Sequence, residues 1–359
     1  MLPLASVKKL HPQGYMPPAW LRNPHAMTLV SRYWPRPALL KGIPTDARLF
    51  TVSPDSKVLG WCHWQANARR HPTLILLHGL EGCAESQYML GLTRKAWWAG
   101  CNVIRLNQRN CGGSEHLTPT LYNGGLTGDV WSVITELSSQ DGLRALWLAG
   151  YSMGGNLALL LAGQLGPPPP FLKGVMAVCP DIDPATCVRA LEQRANWIYH
   201  YHFVRSMKGL VRRKAKLFPG KFDVSRLPAI RTLRALDDAF TAPDGGYESA
   251  EDYYNQTGAR HVLANIGVPT LIVTAKDDPF MPYRMFENPA LTHNSHIRVI
   301  ATEHGGHCGF LQRGQPDEDR YWAENRLVEC ILEQVKKEGA LRRSPVERQG
   351  MVNTARDPS

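Results

Sequence analysis

The sequence predicts an α/β protein in which a mostly parallel central sheet is flanked by helices and interrupted by an inserted helical cap. From Thr73 onward, short apolar runs typical of buried strands alternate with stretches of helical composition, and this alternation is typical of parallel sheets. Between about residues 181 and 266 the alternation stops, and helical stretches separated by Pro or Gly replace it. This change of pattern indicates an insertion.

The 359-residue chain is 43% hydrophobic, which is enough for a sizeable core. No window approaches the roughly 20 apolar residues that a membrane span requires, and residues 1–10 lack the pattern of a signal peptide. The eight cysteines show neither paired spacing nor a dense framework, so we expect reduced thiols. These features predict a cytoplasmic protein.

The net charge of +10 is partly local, because twelve Lys or Arg residues lie between Arg189 and Arg234 against two acidic residues. No nucleic-acid module coincides with this run, so we expect no nucleic-acid partner. The aromatic segment 197–204 lies within it. One interpretation is peripheral membrane or lipid contact through a basic, aromatic cap. The favoured one is a cap that packs its apolar face on the core and exposes its basic face.

Residues 1–45 are rich in Pro and aromatic side chains, which predicts an arm that wraps over the surface without regular elements. Residues 48–52 and 57–64 predict an antiparallel hairpin at one sheet edge. The first part of the core, 46–180, is then predicted to contain strands at 73–77, 102–106, 143–149 and 172–179 and helices at 85–99 and 127–138.

After the cap at 181–266, the core resumes over residues 267–338. The predicted elements there are strands at 269–275 and 297–301 and an amphipathic helix at 320–337. Residues 339–359 are polar, and we expect a disordered tail.

The segment Gly150 to Gly154 has the pattern Gly-x-Ser-x-Gly between a predicted strand and a predicted helix. In that context the pattern is typical of a nucleophile elbow, in which glycines allow strand and helix to approach closely. Ser152 is therefore the candidate nucleophile. The backbone N–H of Met153 would lie at a helix N-terminus, which favours negative charge. The Gly-bearing loop after strand 73–77 could supply a second oxyanion donor, the N–H of Leu80.

The candidate acid and base follow the last two predicted strands. Asp278 is preferred over Asp277 because the acid usually lies three residues beyond the small residue that closes the strand. His307, in a Gly-rich loop, is the preferred base, with His304 as its competitor. We expect no metal, because His304 and His307 have no third ligand at a recognisable spacing. Cys308 is disfavoured as nucleophile because a serine already occupies the elbow.

Seven segments together resemble a known family over about residues 23–332. They are Asn23 to His25, His78 to Gly82, Gly150 to Asn156, Leu236 to Asp238, Tyr247 with Asp252 to Tyr254, Ala275 to Met281, and Glu303 to His307. The chain resembles proteins of the α/β-hydrolase fold, and within them the YheT-like esterase branch. Met153 stands where Leu is common, a small departure because only its N–H is used.

The resemblance implies Ser152 as nucleophile, the Asp277–Asp278 pair as source of the acid, and His307 as base. It also implies a small-molecule acyl ester as substrate, hydrolysed without a cofactor. Two alternatives stay open. An acyltransferase would use the same three residues with an alcohol in place of water, and a catalytically silent hydrolase fold would only bind lipid or act as a scaffold. Neither the acyl chain nor the oligomeric state can be inferred.

Overall fold

The computed structural model describes residues 14–36, 38–316 and 318–350, with side chains up to residue 338. Its centre is an eight-stranded sheet. The strands are Asp46–Ser53 (β1), Ser56–His63 (β2), Thr73–Leu77 (β3), Asn102–Leu106 (β4), Leu146–Tyr151 (β5), Leu172–Val178 (β6), Thr270–Ala275 (β7) and Ile297–Thr302 (β8). Their order across the sheet is β1-β2-β4-β3-β5-β6-β7-β8. β1, β2 and β4 pair antiparallel, and all other neighbours pair parallel. The predicted sheet is confirmed.

The helices, in chain order, are Pro24–Tyr33 (α1), Gln87–Trp98 (α2), Thr127–Ser139 (α3), Met153–Gln164 (α4), Pro184–Leu191 (α5), Trp197–Leu217 (α6), Leu233–Leu236 (α7), Ala242–Gly245 (α8), Ala250–Thr257 (α9), Pro289–His293 (α10) and Trp322–Gly350 (α11). α2 and α11 pack together on one face of the sheet, and α3 and α4 pack together on the other. Because helices cover both faces, strands such as β3 are buried throughout, which explains their continuous apolar composition.

The segment between β6 and β7 contains helices α5 to α9 and no strand among its residues, all of which are described. In α6 the buried positions are Val204, Met207, Leu210, Val211 and Lys214, a spacing that places them on one face. Lys214 is satisfied there, since its Nζ donates to the carbonyls of Glu115 and Thr118. This packing agrees with the favoured interpretation of the basic stretch, whereas the division into core and cap at residues 181 and 266 stays a prediction.

The N-terminal arm contains a regular helix, contrary to the sequence analysis. The side chain of Asn23 accepts hydrogen bonds from the backbone N–H groups of His25 and Ala26, each at 3.0 Å, and so caps α1. Pro24 occupies the first helical position, where its missing N–H costs nothing. Asn followed by Pro was therefore a helix start signal within an otherwise irregular composition. Residues 1–13 of the arm lie outside the described residues.

Two other boundaries differ from those predicted by more than two residues. β5 begins at Leu146, not at residue 143, and continues to Tyr151. α11 continues through residues 339–350, where a disordered tail was expected; this part contains a run of Ala, Leu and Arg, which are strong helix formers. The last tail residues, 351–359, lie outside the described residues. No described helix combines the length and the apolar composition needed to cross a bilayer.

Asn156 connects the core to the segment between β6 and β7, and its loss should destabilise the protein. Its buried amide donates to the carbonyl of Thr257 and accepts from the N–H of Ala259, both at 2.8 Å. Asn156→Ala leaves both buried groups without a partner, so we expect the free energy of unfolding to fall by about 3 kcal/mol. Urea denaturation measures this change. The exposed Asn265→Ala is the control, and equal stability of the two variants would contradict the expectation.

Candidate active site

Ser152 lies on a strained turn between β5 and α4. Its φ is +54°, a left-handed conformation that is uncommon for a residue with a side chain. The turn depends on two glycines: a Cβ on Gly150 would overlap the carbonyl of Gly154, and a Cβ on Gly154 would lie 2.5 Å from the carbonyl oxygens of Leu77 and His78. The geometry is that of a nucleophile elbow, with the serine side chain partly accessible.

Two backbone N–H groups next to Ser152 are free to stabilise an oxyanion. Met153 is the first residue of α4, so its N–H has no acceptor within the helix. In the loop after β3, the N–H of Gly79 donates to Tyr88 at 3.1 Å and that of Glu81 donates to Tyr122 at 3.0 Å. Between them, the N–H of Leu80 has no acceptor among the described residues. The loop touches the serine, because a Cβ on Gly79 would lie 3.0 Å from Ser152 Cβ.

Asp278 lies next to His307. Its Oδ2 is 2.9 Å from His307 Nδ1, and its Oδ1 accepts from the N–H groups of Phe280 at 2.9 Å and Met281 at 3.1 Å. The carboxylate is fully buried. A carboxylate held in this way orients the imidazole and stabilises its protonated form. The backbone of the histidine loop is held separately, since His307 N–H donates to Thr28 Oγ1 at 2.8 Å.

The alternative acid, Asp277, lies next to the alternative base, His304, and not next to His307. Asp277 accepts from the N–H of Gly306 at 2.9 Å, and its other oxygen is 3.3 Å from His304 Nδ1. In this arrangement Asp277 and His304 hold the conformation of the loop. Asp278, preferred from the sequence, is the carboxylate that contacts His307.

His78 is occupied by structural hydrogen bonds. It is fully buried, its Nδ1 donates to the carbonyl of Gly79 at 2.9 Å, and its Nε2 accepts from the N–H of Gln108 at 3.1 Å. Burial lowers the pKa of His78 to about 4, which keeps the ring neutral at physiological pH. His78 therefore shapes the loop that presents Leu80.

Two cavities meet at Ser152. The smaller one, of about 70 Å³, lies under the helices between β6 and β7 and is largely apolar. The larger one, of about 380 Å³, is bounded by α1, the start of α2 and α6. Both are lined by Leu80, Ser152, Phe203, Phe280 and His307. An ester carbonyl placed at Ser152 could therefore extend one substituent into each cavity.

Two residues of the site were missed by the sequence analysis. Thr28 belongs to α1, and the helix start at Asn23 was the signal that could have indicated it. Asp181 lines the smaller cavity, and its Oδ1 is buried without a partner among the described residues. Burial raises the pKa of Asp181 to about 7, although the nearby His307 opposes the shift. A partly protonated carboxyl therefore faces the cavity at neutral pH.

One group of side chains in the described part of the chain has the spacing to hold a metal ion. The ligand atoms of Cys179, His307 and Cys308 all lie within 4.8 Å of one another. His304, which the sequence analysis considered with His307 as a metal ligand and disfavoured, is not in this group. Because the group includes the candidate base, a metal bound there would occupy a ring nitrogen of His307. The absence of a metal in the working protein stays a prediction.

Comparisons with known proteins agree with this fold. A family model described as the α/β-hydrolase fold matches residues 72–314. YheT from Escherichia coli, which is named as an esterase, is 31% identical over 88% of this chain and 92% of its own length. The human phospholipase ABHD3 is 27% identical over 89% of this chain and 80% of its own. An esterase of Pyrococcus furiosus, Pf2001, superposes with a TM-score of 0.53 at 15% identity, over 84% of this chain and 94% of its own.

A mostly parallel sheet with a serine on a strand–helix elbow is typical of α/β hydrolases. With the matches above, the chain belongs to the α/β-hydrolase family. The similarity to YheT over almost all of both chains assigns it, within that family, to the YheT-like branch of esterases and phospholipases. The structural likeness to Pf2001 supports the fold alone, because so low an identity says nothing of substrate.

The pH dependence of activity should reflect the charges around His307. Burial by itself lowers the pKa of His307, but the negative charges of Cys308 and Asp278 raise it well above 6.5. A general base must be neutral, so kcat/KM for a neutral ester should rise with pH through a midpoint above 6.5. Cys308→Val removes one negative charge and should move this midpoint to lower pH.

The pH profile of ester hydrolysis measures the effect, with Cys83→Val as the control substitution. A midpoint that stays in place or rises in Cys308→Val would contradict the assignment of Cys308 as one of the groups that raise the pKa of His307.

Proposed function

We propose that this protein is a serine hydrolase that cleaves carboxylic esters with acyl, lipid-type chains. The observation that carries the proposal is that Ser152, on a strained turn, lines the same two cavities as His307, whose Nδ1 is 2.9 Å from Asp278. A nucleophile on an elbow, a base in the same cavity and a buried carboxylate behind that base are the parts that acyl transfer to serine requires.

In the proposed mechanism, His307 accepts the proton of Ser152 as its Oγ attacks the ester carbonyl. The N–H groups of Leu80 and Met153 stabilise the oxyanion, and His307 then protonates the leaving alcohol. Water, activated by the same imidazole, hydrolyses the acyl-enzyme. Asp278 keeps Nδ1 protonated and so leaves the other ring nitrogen to accept the serine proton. These steps use only groups of this chain and water.

The relatives support an ester as the substrate. YheT is named as an esterase and ABHD3 as a phospholipase, and a phospholipid contains acyl esters next to an anionic phosphodiester. Ester hydrolysis is therefore the reaction that the names share. Neither name specifies the acyl chain or the alcohol of the substrate of this chain.

The mouth of the larger cavity supports contact with a lipid surface. Its exposed rim includes Leu29, Tyr33 and Ile198, with exposed fractions of 39%, 69% and 56%. Next to them, Arg32 lines the cavity and has no carboxylate within ion-pair distance among the described residues. Apolar side chains around a positive charge are the combination that binds anionic lipid surfaces.

The carboxylates that line the larger cavity are neutralised by other partners. Glu324 is 2.5 Å from Arg36, and Glu85 is 2.6 Å from Arg105. Arg32 therefore gives the mouth a net positive charge, which would attract an anionic headgroup. We infer peripheral lipid contact at this rim, formed by Leu29, Arg32, Tyr33 and Ile198. Cytoplasmic localisation stays a prediction.

The candidate triad is tested with p-nitrophenyl esters of about two to sixteen acyl carbons. We expect the wild type to hydrolyse some of them, and Ser152→Ala and Asp278→Asn to lower kcat by about 10⁴-fold. Asp277→Asn is the matched control: an asparagine can still accept from Gly306, so its loss should stay below about tenfold. A larger loss in Asp277→Asn than in Asp278→Asn would reverse the assignment of the acid.

Product analysis separates hydrolysis from the alternatives. Free acid as the product with ethanol present supports the proposed hydrolase, whereas ethyl ester as the main product would identify an acyltransferase. A fluorophosphonate probe should label Ser152. An unlabelled serine, together with inactivity on every ester, would favour a binding protein with a silent hydrolase fold.

The proposed lipid contact is tested by co-sedimentation with vesicles. The wild type should bind vesicles that contain phosphatidylglycerol more strongly than pure phosphatidylcholine vesicles. Arg32→Glu and Ile198→Asp should each reduce binding several-fold, because one reverses the charge of the rim and the other adds a charge to its apolar part. Leu49→Asp, at an exposed apolar position on β1, is the control. Equal binding by all four proteins would contradict the inference.

A further inference from the structure

Two thiols are held together beside the candidate catalytic histidine. Cys179 directly follows β6, and Cys308 directly follows His307 in sequence. The N–H of Cys308 donates to Cys179 Sγ at 3.4 Å, and both sulfur atoms lie within 4.8 Å of each other. Both residues have positive φ, 45° and 59°. Because this conformation is uncommon outside glycine, the surrounding fold maintains the pair in place.

The two thiols differ in accessibility. Cys308 is partly accessible and lines the larger cavity together with Ser152. Of the two cysteines, Cys308 is therefore the one that a small polar molecule in the cavity would meet. Cys179 is fully buried and lines neither of the two cavities at Ser152. The sulfur of Cys308 lies within 4.8 Å of its own. An accessible thiol beside a shielded one is the arrangement of an oxidisable cysteine and its resolving cysteine.

The two thiols also differ in charge. Burial by itself would raise the pKa of Cys308, but the hydrogen bond from the Cys179 thiol and the positive charge of protonated His307 lower it to about 6. Burial, together with the neighbouring Cys308, raises the pKa of Cys179 well above 9. Of the two sulfurs, that of Cys308 therefore ionises more readily, and the thiolate is the form that reacts with oxidants.

We propose that Cys308 is a site of oxidation by hydrogen peroxide and that Cys179 captures the oxidised sulfur as an intramolecular disulfide. In the first step the Cys308 thiolate attacks one peroxide oxygen; the O–O bond breaks, a sulfenic acid forms, and the departing hydroxide takes a proton from protonated His307 to become the first water. In the second step the sulfur of Cys179 attacks that of Cys308; the S–S bond forms, the S–O bond breaks, and the hydroxyl group that leaves Cys308 combines with the Cys179 proton as the second water. Two thiols and one peroxide thus become one disulfide and two waters.

The disulfide would displace His307. An S–S bond requires the sulfur atoms to approach to about 2.05 Å. Cys179 continues a central strand, whereas Cys308 lies between Gly306 and Gly309 in a loop. We therefore expect the loop to move toward Cys179 and to carry with it His307, which directly precedes Cys308. Since a shift of about 1 Å in a catalytic group can cost about 100-fold in rate, oxidation would suppress ester hydrolysis. This consequence, but not the disulfide, rests on the proposed function.

Mass spectrometry tests the modification without any assay of activity. The wild-type protein is treated with hydrogen peroxide, alkylated and digested without reduction. We expect a cross-linked peptide that joins Cys179 to Cys308, about 2 Da lighter than the sum of the two thiol peptides and lost on treatment with dithiothreitol. Sulfinic or sulfonic Cys308 without this cross-link, or an unmodified Cys308, would overturn the proposal.

Activity and fluorophosphonate labelling test the consequence, each relative to the same protein before treatment. The wild type should lose more than about tenfold in rate and recover with dithiothreitol. Cys179→Ser should form no cross-link and lose activity irreversibly, because its sulfenic acid is oxidised further. Cys308→Ser should keep its activity in peroxide. Cys83→Ser is the control: it removes a different, partly accessible thiol and should behave as the wild type.

A reversible loss in Cys179→Ser would show that Cys179 is not the resolving thiol. A cross-link in a protein that hydrolyses no ester would support the oxidation site while contradicting the proposed function, so the two failures are distinguishable.

Discussion

The candidate site depends on one close backbone approach, that of the Ser152 turn to the end of β3. The absence of a Cβ at Gly150 and Gly154 lets the start of α4 contact the carbonyls of Leu77 and His78. The strain of the turn is offset by the burial of β5 and α4 on either side of it. Because the same contact holds the loop after β3 against the turn, the serine and the N–H of Leu80, a candidate oxyanion donor, are positioned together.

The histidine comes to this turn from the opposite end of the chain, and the N-terminal helix holds it there. Thr28 accepts the N–H of His307, and Gly306 lies so close to α1 that a Cβ there would be 2.6 Å from the carbonyl of Pro24. α1 also forms one wall of the larger cavity. The arm is therefore part of the candidate site: it holds the backbone of His307, forms one wall of the cavity and places the positive charge of Arg32 at its mouth.

Electrostatics at His307 involve two negative groups instead of one. Asp278 is the carboxylate in contact with the imidazole, and Cys308 adds a second anion at the same ring. Two anions stabilise the protonated imidazole more than one does, and a base of higher pKa is a stronger proton acceptor but is neutral only at higher pH. Cys308, which raises the pKa of His307, also lines the larger cavity and lies beside Cys179. Under the proposed oxidation, these two cysteines make the activity of the site depend on the presence of peroxide.

The sequence by itself determined the strands β3 and β4 to the residue and the elbow around Ser152, and it predicted Asp278 and His307 as candidate acid and base. These features are local: continuous apolar runs specify buried strands, and glycine spacing specifies a tight turn. Only the tertiary structure decided that Asp278 and not Asp277 contacts His307, since adjacent residues in a turn point in different directions. It also decided the role of Thr28 and the meeting of Cys179 with Cys308, 129 residues apart. Contacts at such separations depend on how loops from different strands converge, and no pattern within a single segment encodes that convergence.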